Sequence, residues 1–211
     1  CSRIAFAAGR LFAACGINGA PGTQIWRIDP VTERTRSLAG PQYGGVFSLV
    51  ATPDSVWNVR VPGAVGLIDM AGHLRTVHVT PRYQVIAGTQ SVVYGDGSVW
   101  VLGDGERLAR FDPVTGQLLS RYTYRNYDSS RAGGLDFLTA GGGWLWFLDN
   151  GYPFSGVLRV SESTGRPAGG VRIAPNSCGQ VVCSQIFYTP GSVWVPTAEL
   201  LIRIDTSRMP G

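Results

Sequence analysis

The chain repeats one phrase. DSVWNV (54–59), GSVWVL (97–102), GWLWFL (143–148) and GSVWVP (191–196) are variants of a single string, and GRLFAA (9–14) is a weaker member. Their aromatic anchors Phe12, Trp57, Trp100, Trp146 and Trp194 lie 45, 43, 46 and 48 residues apart. A second phrase follows each anchor: IWRIDPVTER (25–34), VGLIDMAGHL (65–74), LARFDPVTGQ (108–117), VLRVSESTGR (157–166) and LIRIDTSRMP (201–210). The opening CSRIAFAAGRLFA is itself echoed by CSQIFYTPGSVWV from Cys183 onward. A sustained period of roughly 40–50 residues restricts a chain to repeat architectures, in which each unit buries its apolar face on the next.

Each unit reads as four strands. Alternating stretches such as FSLVA or SQIFY predict an inner strand of period two. The aromatic phrase is almost continuously apolar, as a strand covered on both faces is. RIDPVTG is a third strand running into a turn, where Pro113 presets φ, the Asp112 carboxylate takes backbone N–H groups and Gly116 supplies positive φ. LLSRYTY and RTVHVT are fourth strands. Composition agrees. Gly is 29 of 211 residues, about twice the usual share of about 7 %, and charged residues are only 15 %, which suits many tight turns between strands.

Four antiparallel strands per unit predict an all-β fold, a β-propeller of about five four-stranded blades. The chain reads as a single domain with approximate blades 1–40, 41–81, 82–124, 125–174 and 175–211. It starts on an inner strand and stops after a third strand. Either the fifth blade has three strands in a five-bladed ring, the favoured reading, or the chain is a fragment of a six- or seven-bladed propeller.

GSVWVLGDGERLARFDPVTGQLLSRY (97–122) resembles the repeat of bacterial YVTN/NHL-type propellers, the group that includes the streptogramin lyases and many secreted propellers. The resemblance extends over all five units and implies the fold alone, because the matching residues are core and turn positions. The lyases use a His and Glu constellation with a divalent metal on the central face. Here the two His residues, His73 and His78, fall in a turn and on an outer strand of blade two, away from any channel.

Charge narrows the partners. All 18 basic residues are Arg, the net charge is +4, and no basic run occurs, so no nucleic acid is expected. No apolar run approaches the ~20 residues of a membrane span. Four Cys allow three pairings. Cys1 and Cys15 fall opposite each other in a hairpin turning near Ala8 and Gly9, and Cys178 and Cys183 are neighbours in one loop. The expected bridges are therefore Cys1–Cys15 and Cys178–Cys183, which imply an extracytoplasmic or secreted protein. The start at Cys1 reads as a mature form or an excised domain, with lipid anchoring or membership of a larger membrane protein as alternatives.

The candidate site is the loop face. Tyr43, Tyr83 and Tyr127 recur in step with the blades in the interblade loops, with Arg82 and Arg125 beside two of them. Tyr offers a flat apolar face with a polar tip, suited to a sugar or peptide, and Arg can hold a carboxylate. Asp149, Asn150, Tyr152 and Phe154 lie in a longer loop of blade four on the same face. The recurring Trp residues are assigned to the core, while Trp26 and Trp144 fall outside that register. Arg27, Arg110 and Arg203, each two residues before the turn Asp, are read as structural. The favoured function is a non-enzymatic binding or sensor module for a glycan, peptide or protein partner, with no cofactor and no oligomeric state assigned. Two alternatives stand beside it: a metal-assisted lyase or hydrolase using loop acids such as Asp104 and Asp149, and a structural subunit of a larger assembly.

Overall fold

A computed structural model describes residues 1, 3–16, 22–42, 46–60, 64–77, 92–103, 107–124, 135–149, 156–173, 185–197 and 199–209. The first sheet is β1 (Arg3–Ala7), β2 (Arg10–Gly16), β3 (Thr23–Ile28) and β4 (Thr35–Gln42). The second is β5 (Val46–Ala51), β6 (Ser55–Arg60), β7 (Ala64–Asp69) and β8 (Leu74–Val77). The third is β9 (Val92–Gly95), β10 (Ser98–Gly103), β11 (Arg107–Phe111) and β12 (Leu118–Thr123). The fourth is β13 (Leu135–Gly141), β14 (Trp144–Asp149), β15 (Gly156–Ser161) and β16 (Pro167–Arg172). The fifth has three strands, β17 (Phe187–Thr189), β18 (Ser192–Pro196) and β19 (Leu201–Asp205), followed by a 3₁₀ turn, Thr206–Arg208.

In every sheet the strands lie side by side in chain order. The aromatic phrase forms the second strand each time, and the Asp phrase forms the third, as the repeat predicts. Short connections force this meander, because neighbouring antiparallel strands need only a tight turn. The turn between β1 and β2 falls at Ala8 and Gly9, and it sets the register Ala7↔Arg10 through Arg3↔Ala14. That register brings the chain's start back beside the end of β2, where Cys1 is bridged to Cys15.

The chain divides into two compact units, Cys1–Asp104 with Ala109–Ser120 and Gly105–Leu108 with Arg121–Gly211. In the first, β1 packs on β5 and β5 on β9. One core joins Phe12, Ala14 and Ile25 of sheet one to Val56 and Ile68 of sheet two. A second joins Trp57, Val65 and Leu67 of sheet two to Val99, Val101, Ala109 and Phe111 of sheet three. In the second unit, Phe137, Trp146 and Val157 of sheet four meet Val193, Val195 and Ile204 of sheet five. The same rule holds in each core. The aromatic-anchor face of one blade receives the opposite face of the following blade.

The anchors differ in their exposure. Trp57, Trp100 and Trp146 are 0 %, 0 % and 1 % exposed. Trp194 departs from its assignment to the core: it is only half-buried, and its indole N–H donates to Thr189 Oγ1 of the adjoining strand at 2.8 Å. Among the described residues no later sheet follows sheet five to cover its anchor face. Trp26 and Trp144, outside the register, are half-buried.

The Asp turns are built as their composition dictates. Asp112 Oδ1 accepts from the N–H groups of Val114 at 3.0 Å and Thr115 at 2.7 Å and from the Thr115 hydroxyl at 2.8 Å, with Gly116 at φ 73°. Asp29, Asp69 and Asp205 take equivalent N–H groups in their own turns. Ser161 replaces the acid in blade four and accepts from the Thr164 N–H. These turns also join blades. The Pro113 carbonyl accepts from Ser55 Oγ at 2.6 Å and from the Trp57 indole at 3.0 Å, and the Val114 carbonyl accepts from Arg75. The turn of blade three is thus fastened to blade two.

Candidate functional site

Most of the predicted loop face, Tyr43, Arg82, Tyr83, Arg125, Tyr127, Asn150, Tyr152 and Phe154, lies outside the described residues, as do Cys178, Cys183, Asp104 and His78. The strands that anchor these loops are described. Tyr43 follows the end of β4 and precedes β5, 78–91 join β8 to β9, and 125–134 join β12 to β13. Each of these segments therefore runs from an outermost strand to the innermost strand of the next sheet. Asp149 is the last residue of β14, with its backbone paired to Leu135 and Gly156.

The neighbour of this set, Tyr124, is not a surface residue. It is buried, its hydroxyl donates to the Gly165 carbonyl at 3.1 Å, and its ring meets Phe147 edge-on at 6.2 Å. One tyrosine of the β12 end thus serves packing, while Tyr127 lies three residues further into the loop.

Arg110 and Arg203 make a contact the sequence reading did not identify. Arg110 lies over the Trp100 ring at 5.3 Å and donates from Nε to Ser98 Oγ at 2.8 Å. Arg203 repeats both contacts on Trp194 at 5.7 Å and on Ser192 at 2.8 Å. Arg159 lies over Trp144 at 4.5 Å and donates to the Ala168 carbonyl. Arg203 is directly opposite Trp194, whereas Arg159 is opposite Trp146 and reaches Trp144 diagonally, and a guanidinium is attracted to the face of an aromatic ring. The sequence carried only a partial signal, a Ser two residues before the Trp and an Arg nine or ten residues after it in blades three and five.

The four Asp residues of the third-strand turns are likewise committed to those turns. Backbone N–H donation by Thr32 and Val31 lowers the Asp29 pKa, and donation by the His73 backbone and ring lowers that of Asp69. The Thr115 backbone and hydroxyl do the same for Asp112, and the Ser207 hydroxyl and backbone for Asp205. His73 closes its turn through Nδ1 and Asp69 Oδ2 at 2.9 Å. Among the described residues, no three His, Cys, Asp or Glu side chains gather as a metal site would require.

One buried polar residue went unnoticed in the sequence. Asn58 occupies the position that Ala13, Val101, Phe147 and Val195 fill in the other blades. It is fully buried opposite Gly66, and its amide makes no hydrogen bond among the described residues. A Cβ on Gly66 would lie 2.8 Å from the Asn58 Oδ1, so the glycine leaves room for this side chain.

Repeated four-stranded meanders stacked anchor face to following blade define an all-β protein of the β-propeller class. Solved structures agree. The chain is similar to the β-propeller domain of Cps50 (Swd1) from Myceliophteria thermophila, with 11 % identity, 99 % of this chain and 71 % of that one covered, and a TM-score of 0.68. BamB from Moraxella catarrhalis aligns with 11 % identity over 96 % of this chain and 60 % of its own, with a TM-score of 0.63. YCF48 bound to D1 peptide aligns with 13 % identity over 95 % and 63 %, with a TM-score of 0.63. The chain thus spans about 60 % of the length of BamB and YCF48. At these identities the likeness is one of fold. No protein-family model matches the chain, and no curated protein matches it in sequence. No helix among the described residues is long and apolar enough to cross a membrane.

Proposed function

We propose that this chain is a non-enzymatic, extracytoplasmic binding module that presents one propeller loop face to a peptide or protein partner. The observation that carries the reading is the recurrence of Tyr43, Tyr83 and Tyr127 in segments that all run from an outermost strand to the next innermost strand. In this reading the three Tyr, with Arg82 and Arg125 beside two of them in sequence, are the residues that contact the partner. Tyr and Arg are the residues that most often anchor protein interfaces. The solved propeller YCF48 carries a peptide, which supports a peptide over a glycan here. The Cys1–Cys15 bridge supports an oxidising compartment. In this reading the 1–211 chain acts as one propeller domain, and the second bridge is Cys178–Cys183.

The test is a binding screen of extended peptides, with cell-wall glycans and divalent cations as further arms. The comparison is the Tyr43→Ala, Tyr83→Ala, Tyr127→Ala triple variant, shown to be folded by circular dichroism. Peptide binding that is lost in the variant supports the reading. Peptide binding retained in the variant, or binding of cations alone, overturns it.

A further inference from the structure

We propose that Arg27 and Arg36 form a binding site for a phosphate group in the cleft between blades one and two. The two residues stand directly opposite each other on β3 and β4. Like charges at such a pair destabilise a sheet. Blade two places Leu67, not a second cation, opposite its Arg75. Arg27 and Arg36 both line a surface cleft with about 190 Å³ of empty space, and Met70 and Ala71 of blade two line it from the other side.

The cleft lies where one interblade joint is not repeated. Blade two holds the turn of blade three through Ser55, Trp57 and Arg75, which donate to the Pro113 and Val114 carbonyls. The same positions in blade one are Arg10, Phe12 and Arg36. Phe12 carries no donor, and among the described residues neither Arg10 nor Arg36 donates to the turn of blade two. That turn closes from Asp69 to His73, where the turn of blade three closes from Asp112 to Gln117, so it is one residue shorter. It meets blade one at Gly72, where a Cβ would overlap the Leu38 carbonyl. The guanidinium that serves as a latch in blade two therefore lines the cleft in blade one.

Among the described residues, neither Arg27 nor Arg36 forms an ion pair. The acids of the two flanking turns are committed: Asp29 accepts from the Val31 and Thr32 N–H groups, and Asp69 from those of Ala71 and His73. The cations acting on them are Arg10 and His73. Arg110 and Arg203, the siblings of Arg27, donate to Ser98 and Ser192, but blade one has Arg10 in the place of that Ser. The Ser37 hydroxyl at the cleft already donates to the Ala39 carbonyl and accepts from Gln24. Recognition thus falls to two planar guanidinium forks. Each can grip phosphate oxygens in pairs, and together their charge matches a dianion rather than a lone carboxylate. The cleft is at the turn end of β3 and β4, whereas Tyr43 follows the other end of β4 in sequence, so this site does not rest on the peptide-binding reading.

The experiment titrates the whole chain with inorganic phosphate by calorimetry at constant ionic strength, at a pH of about 8 where phosphate is dianionic. Saturable binding is expected, with a melting temperature that rises as phosphate is added. Arg27→Gln and Arg36→Gln are each expected to weaken binding about ten-fold or more. Arg36→Lys, which keeps the charge and loses the fork, is expected to fall between. Arg34→Gln removes the same charge from an exposed position in the same turn and is expected to bind as the parent does. Methyl phosphate separates two sources of the ligand, and both results support the site: equal binding assigns it to a phosphate ester, and weaker binding to the free ion. No saturable binding in the millimolar range overturns the proposal, as does binding that both Gln variants leave unchanged. Equal weakening by Arg34→Gln overturns it by showing general attraction to a basic surface. Acetate binding as tightly as phosphate overturns it in favour of a carboxylate.

Discussion

Truncating two anchors of the same repeat is expected to cost different amounts, and the difference measures what a following blade contributes. Trp57 is fully buried between blades two and three, stacks obliquely on Phe111 at 5.6 Å and donates its indole N–H to Pro113. A buried Trp removes about 200 Å² from water. At about 25 cal/mol per Å² that is about 5 kcal/mol as an upper figure, and a compact denatured state lowers it to about 3–4 kcal/mol. The indole hydrogen bond adds little to this loss. The Pro113 carbonyl keeps Ser55 Oγ as a donor in the Trp57→Ala variant. Trp194 is half-buried, and its indole N–H is held within its own blade. Trp194→Ala is therefore expected to cost about half as much, near 2 kcal/mol on the same scale. Urea unfolding followed by far-ultraviolet circular dichroism, with slope and midpoint both fitted, gives the two values. Equal costs would refute the reasoning, because they would mean that the following blade adds nothing to the burial of an anchor.

Four further outcomes are expected. Reducing the Cys1–Cys15 bridge, or changing both residues to Ser, lowers stability by about 3 kcal/mol for a loop of about this length, read from urea midpoints, while intact mass on reduction counts the bridges. Gly165→Ala destabilises by more than the ~1–2 kcal/mol of a left-handed non-glycine residue, because Gly165 has φ 65° and a Cβ there would overlap the Tyr122 ring, so the melting temperature falls sharply. Asn58→Val raises stability by about 1–2 kcal/mol by removing an unpaired buried amide, provided Gly66 is left intact; a lower urea midpoint would contradict this. The turn acids Asp29, Asp69, Asp112 and Asp205 have folded pKa values below 3.8, so their contribution is complete above that pH and is lost as pH falls through the lower folded values. Thermal melts on the acid side should therefore show a shallower pH dependence in Asp112→Asn.

The fold was legible because a repeat states the same physics five times. Any one aromatic phrase is an ambiguous apolar run, but five at a common spacing select one architecture, and the Asp-Pro-Val-Thr-Gly turn fixes where the third strand ends. The Cys1–Cys15 bridge was legible because a two-residue turn sets hairpin register outright. Trp194 was misread because pattern reports a residue's place in its own blade, whereas burial depends on the blade that follows. The stacking of Arg203 and Arg110 on Trp rings was hidden for a related reason: it requires knowing which residues stand opposite across two strands. Asn58 was passed over because a single polar letter inside an apolar phrase is invisible to periodicity, although its register opposite Gly66 makes sense of both residues. The Tyr segments lie outside the described residues, and loop residues obey no period that fixes their side chains.

The fastening of one blade's turn to the blade before it has a consequence for how such a chain is assembled over generations. The Ser55 hydroxyl and Trp57 indole are one half of a joint, and the Pro113 carbonyl is the other. Blade three carries the residue types of both halves, Ser98 and Trp100 on its second strand and Pro113 in its third-strand turn, whereas the Trp146 and Trp194 indoles donate within their own blades. A duplicate of a unit such as blade three therefore arrives with the residue types of both halves of that joint. The length of the array can change by whole units without any new interface having to be invented.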